Sequence, residues 1–157
     1  MGKALVHDDL RVTTPATFVE MSPGELSQVF LDNNPDRWGA RDVRNHLMFV
    51  ISWQDSNKLL AKLVSTNALI RRVEKLASKG YRDYGYQLDD FFTRDLCGLE
   101  AEGYRFSYEL QGIPQKAQNI VFKHGRTCYT LYWVERKGAG KHAERARELI
   151  LDSLALA

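Results

Sequence analysis

The sequence predicts an α+β protein, an antiparallel sheet of about six strands covered by helices. Two observations carry this. From Tyr84 to Arg136 apolar residues recur at every second position, in four segments parted by glycine-containing turns. The flanking segments repeat at helical spacing and open on capping residues. Runs of strands punctuated by a few helices belong to α+β folds.

Taken in order, "LRVTTP" (10–15) alternates and ends on proline, which suits a short strand near a sheet edge. Ser22, with Pro23 at the first helical position and Glu25 three residues after the cap, forms the S-x-x-E capping box of a helix start. "DNNPDRWGARD" (32–42) reads as a loop from its Asn, Pro and Gly content. "NHLMFVISWQ" (45–54) is short and nearly continuously apolar, as a buried strand is.

Residues 55–81 read as one helix or two. Leu59, Leu60 and Leu63 form a first apolar stripe, and Leu69, Ile70, Val73, Leu76 and Ala77 a second. Ser65 and Thr66 offer a cap between them, and Gly80 stops the helix after Lys79. The four following strands are read at 87–101, 103–112, 116–124 and 126–136. Their turns fall at Gly98, at Gly112-Ile113-Pro114 and at His124-Gly125. Tyr104, Phe106, Tyr108 and Leu110 share one face, and Arg105, Ser107 and Glu109 the other. The last helix (139–156) turns Ala143, Ala146, Leu149, Ile150 and Leu154 toward the sheet.

At 157 residues the chain has the size of one domain, residues 1–157, able to bury about two-thirds of its unfolded surface. A net charge of +2 is too small to point to nucleic acid as a partner. No apolar run reaches the roughly 20 residues of a membrane span, and "MGKALVHDDLRV" lacks the apolar core of a secretory signal. These features predict a cytoplasmic protein. Cys97 and Cys128 then read as buried, reduced thiols rather than a disulfide.

Motifs for chemistry fail on their residues. "VERKGAGKH" (134–142) has Glu135 where a phosphate loop needs its first glycine, and His142 where it needs the metal-binding hydroxyl. "EGYRFSY" (102–108) has the aromatic spacing of an RNA-stacking strand, but Glu102 stands where a cation belongs. His7, His46, His124 and His142 show no metal-ligand spacing, and adjacent Asp89 and Asp90 point to opposite faces of a strand. No cofactor is implied. Binding therefore stands ahead of catalysis.

Candidate contact residues are Arg37, Trp38 and Arg41 in the 32–42 loop, because Trp and Arg dominate interface hot spots. Arg71, Arg72 and Lys75 join them from the basic run 71–82, which suits an acidic partner. Should a pocket form between sheet and helices, Asp89, Arg94, His124 and Tyr129 are its polar candidates, for a small ligand or a small enzyme.

The whole-chain arrangement resembles the PsbP-like superfamily, whose fold is shared with a Ran-binding nuclear-transport regulator and with bacterial proteins of unknown role. The matching stretches are "TTPATFVEMS" (13–22), "NHLMFVISW" (45–53), "LEAEGYRFSYELQG" (99–112), "AQNIVFKHGRTCYTLYWVE" (117–135) and "ARELILDSL" (146–154). The resemblance implies helices on both faces of the sheet and mostly non-enzymatic work, docking to a protein partner whose identity it does not supply. A second architecture compatible with the pattern is the cone of nuclear-transport-factor and cystatin folds, a long helix wrapped by an antiparallel sheet.

Overall fold

The computed structural model describes residues 1–56 and 64–157. The stripe Leu59, Leu60 and Leu63 lies outside the described residues. The chain begins with strands β1 (Gly2–Val6), β2 (Leu10–Thr14) and β3 (Val19–Glu20), then helix α1 (Pro23–Phe30). Strands β4 (Arg37–Asp42) and β5 (Leu47–Asp55) precede helix α2 (Thr66–Gly80), which runs into a short 3-10 turn at Arg82–Tyr84. Four long strands follow: β6 (Gln87–Leu96), β7 (Leu99–Leu110), β8 (Ile113–His124) and β9 (Thr127–Arg136). Helix α3 (Lys141–Ser153) and strand β10 (Ala155–Leu156) end the chain.

Seven strands form one antiparallel sheet in the order β3-β4-β5-β9-β8-β7-β6, and β1, β2 and β10 form a second of three. The α+β class is as expected, with more strands than the six predicted. The largest difference is β4, which falls where Asn, Pro and Gly content predicts a loop. It pairs with β5 along its full length, from Arg37 opposite Ser52 to Asp42 opposite Leu47. Tertiary pairing overrides weak strand propensity there. Gly39 lets α1 pack closely on this strand, because a Cβ at that position would lie 2.9 Å from Leu26 Cδ2.

Turn positions also shift. Gln111 and Gly112 alone link β7 to β8, both at positive φ, the two-residue hairpin geometry that matches strand twist. Ile113 and Pro114 belong to β8, with Pro114 opposite Glu109. Cys97 and Gly98 make the same kind of turn after β6, so Leu99–Ala101 start β7 rather than ending β6.

Each face of the large sheet has its own core. One face presents Phe49, Ile51, Phe122, Leu131 and Trp133 to α3 and to the small sheet through Leu10 and Val12. The other presents Val50, Tyr104, Phe106, Tyr132 and Val134 to α1 and α2 through Leu26 and Ile70. Helices therefore cover both faces. Burial on both sides explains why β5 and β9 read as nearly continuous apolar runs. Ala143, Ala146, Ile150 and Leu151 are the buried residues of α3; Leu149, predicted to face inward, is 37% exposed.

Helix starts follow their caps. The Ser22 hydroxyl accepts from the Glu25 N–H while the Glu25 carboxylate accepts from the Ser22 N–H, closing the capping box. The Ser65 hydroxyl accepts from the Ala68 N–H at 3.0 Å. Cys97 and Cys128 are unbonded and half-buried rather than fully buried.

Candidate functional site

Arg37, Trp38 and Arg41 lie on β4, where strand alternation parts them. Trp38 falls on the α3 side with Ala40, and the two arginines on the α1 side with Gly39. All three are engaged within the fold. Arg37 grips Asp32 with both terminal nitrogens and lies 4.1 Å over the Phe30 ring. That grip, with the Asn34 N–H, holds the Asp32 carboxyl down at about 2. The Trp38 indole N–H donates to Glu20, and Arg41 pairs with Glu25 of the capping box.

The basic run divides differently. Arg71 stacks 3.7 Å over the Phe91 ring. Arg72, Lys75 and Lys79 are exposed and form no ion pair among the described residues. Positions 72, 75, 76 and 79 fall on one helical stripe. Its apolar member, Leu76, was predicted to face the core and is 64% exposed. Ile70 is the buried anchor of α2, and Glu74 faces elsewhere, accepting from the Tyr86 hydroxyl at 3.0 Å.

Asp89, Arg94, His124 and Tyr129 do not converge. Asp89 sits at a register shift on the edge strand β6. Arg94, further along β6, pairs with Glu148 at 3.0 Å and Asp152 at 3.8 Å on α3. His124 ends β8 opposite Thr127. Tyr129 is buried, its hydroxyl donating to Asp9; burial first and then that carboxylate push its phenol far above the usual range.

Tyr129 adjoins a cluster that nothing local in the sequence marks. The Asp55 Oδ1 accepts from Thr127 Oγ1 at 2.6 Å and lies 3.0 Å from His7 Nε2, while the His7 ring stacks on Trp53. The Thr127 bond, then His7, holds the Asp55 carboxyl below its ordinary value. The cluster pins the β1–β2 turn to the large sheet. Among the described residues no group of His, Cys, Asp and Glu is arranged to hold a metal ion, and no helix is long and apolar enough to cross a membrane.

Tyr104, Phe106 and Tyr108 lie beneath α2 and the turn after it, at most 7% exposed, with Tyr81 and Tyr86 packed on them. Asn119 Nδ2 donates to the Tyr104 hydroxyl at 2.7 Å. That face offers no platform on which a base could stack.

Where α3 begins, a cavity of about 420 Å³ opens between its first turn and the sheet. Gly138 and Gly140, both at positive φ, turn the chain back over β9. Gln118 and Trp133 form its floor, Lys116 and Arg105 one side, and Lys141 and Glu144 the roof. Glu135 is held there by the Trp133 indole N–H at 3.1 Å and by Arg147 at 3.4 Å. Two residues of this groove are candidates from sequence, the glycine-flanked Lys141 as part of a phosphate loop and Asp89 as a pocket residue. Strand register is what collects the rest: Arg105 opposite Gln118, Gln118 opposite Trp133, Lys116 opposite Glu135.

An antiparallel sheet with α3 on one face and α1 and α2 on the other defines an α+β sandwich. No family model matches the chain, and no curated protein matches it in sequence. Solved structures do match it in fold. The cyanobacterial PsbP (CyanoP) of Synechocystis is similar with a TM-score of 0.66 at 12% identity, over 96% of this chain and 88% of that one. The Ran-binding protein Mog1p of Saccharomyces cerevisiae is similar with a TM-score of 0.62 at 8% identity, over 99% and 94%. A Bacteroides thetaiotaomicron structure gives 0.61 at 11% identity over 94% of this chain, which spans only 45% of that longer one. The fold is the PsbP-like one.

Proposed function

We infer that this chain is a binding module that docks an acidic segment of a partner protein on the outer face of α2. The observation that carries it is the stripe Arg72, Lys75, Leu76 and Lys79. It holds three cations without carboxylate partners among the described residues, around a leucine that is 64% exposed. Arg37, Arg41, Arg94 and Arg105, by contrast, are each paired with a carboxylate. Unpaired charge is the kind a partner can use without first breaking an internal pair, and complementary charge steers the encounter. The exposed leucine supplies the apolar contact that charge alone lacks. The fold neighbour Mog1p, a Ran-binding protein, supports the reading that this fold docks proteins.

The test is binding of a fluorescent acidic peptide with leucines at helical spacing, followed by anisotropy. Saturable binding should weaken with added salt and vanish in the triple variant Arg72→Glu, Lys75→Glu, Lys79→Glu. A basic peptide of the same length should not bind. Binding that survives the triple charge reversal, or none at low salt, refutes the proposal.

A further inference from the structure

We propose that the groove at the start of α3 binds a monocarboxylate, gripped by Lys116, Lys141, Gln118 and the first-turn N–H groups of the helix. Gly140, the N-cap, supplies no side-chain hydrogen bond to that turn. A Cβ built on it would meet nothing nearer than the Gly138 carbonyl oxygen at 4.0 Å, so the approach is open. The amide dipoles of this 13-residue helix favour an anion at that end.

Gln118 points independently to a ligand. It lies in the middle of β8, is only 6% exposed, and its amide makes no hydrogen bond among the described residues. No fully inaccessible side-chain polar atom among the described residues lacks a partner, so the free amide atoms of Gln118 are the ones that open onto the groove. Lys116 and Lys141 likewise have no ion pair among the described residues, while Arg105 is shared with Asp90 and Arg147 with Glu135.

The acidic residues of the same groove set the ligand's charge. Asp89, Glu135 and Glu144 line it beside Arg105, Lys116, Lys141 and Arg147, so the cations outnumber the carboxylates by one and the balance suits a single negative charge rather than two. A cavity of about 420 Å³ takes a small acid or the last residues of a peptide, with Trp133 as an apolar floor. Both sources present the same group.

Sodium acetate titrated into isotope-labelled protein tests the site by NMR. Saturable shifts should appear at the Gln118 side-chain amide and at the backbone amides of Lys141 and His142. The double variant Lys116→Ala, Lys141→Ala alters exposed residues only, and should weaken binding at least tenfold while the spectrum stays folded. Trialanine with a free C-terminus should shift the same resonances, and trialanine amide should not. Saturation at lower concentration by trialanine than by acetate assigns the carboxylate to a peptide terminus; the reverse assigns it to a free acid. Absence of saturable shifts at those amides, shifts that persist in the double variant, or tighter saturation by inorganic phosphate would overturn the proposal.

Discussion

The ring of Phe92 lies against the bare Cα of Gly103, its register partner on β7: a Cβ on Gly103 would stand 2.4 Å from Phe92 Cζ. The Arg105 guanidinium sits 4.0 Å from the centroid of the same ring. Phe92 is thus clamped across β7, and it carries Arg105 at the edge of the groove. Gly103→Ala is expected to destabilise the fold by about 1–3 kcal/mol, as overpacking does. Urea unfolding measures it, and an unchanged midpoint would count against the clamp.

Acid should act through Asp32. Its carboxyl is held at about 2 in the folded protein against an ordinary 3.8, mainly by Arg37. A lowered folded value means the stabilisation is complete above the ordinary value and disappears as pH falls through the folded one. Asp32→Asn should therefore flatten the stability profile between about pH 4 and pH 2. A profile parallel to that of the parent protein would show that the pair contributes nothing.

Ile70 and Leu76 lie on the same helix and should respond oppositely to truncation. Ile70 is fully buried, and Ile70→Ala should cost about 2–5 kcal/mol. Leu76→Ala should stay within about 0.5 kcal/mol of the parent and still weaken the acidic peptide. Calorimetry together with anisotropy separates the two, and a large stability loss at Leu76 would remove it from the docking face.

Both thiols should react slowly in the native state. Burial pushes Cys97 and Cys128 above the ordinary thiol value, leaving less of the reactive thiolate. Ellman's reagent should modify them far more slowly in native protein than in urea. Equal rates would contradict it.

Much of the fold was legible in local signals. Ser22 with Pro23 and Glu25 marked α1, Ser65 marked α2, and alternation marked β6 to β9, because each depends on neighbours in sequence. β4 was not legible, since its strand state comes from pairing with β5 across a turn and not from Arg37–Asp42 themselves. Leu76 misled for a related reason. Its spacing fits an apolar stripe, yet α2 meets the sheet through Ile70 and leaves the edge of that stripe in water.

The candidate sites divide along the same line. The cations of α2 were readable as a run, because one helix carries them all. The groove was not, because Gln118, Lys116, Arg105 and Lys141 come from separate elements with nothing local to connect them.

By itself the sequence determined the α+β class, the helix starts and the block of consecutive antiparallel strands. These rest on caps, periodicity and turns that act over a few residues. Tertiary structure alone decided which cations stay unpaired and which amide of the sheet opens onto the groove. Those outcomes depend on strand register and on where α2 and α3 dock, and both are set by packing between residues distant in the chain.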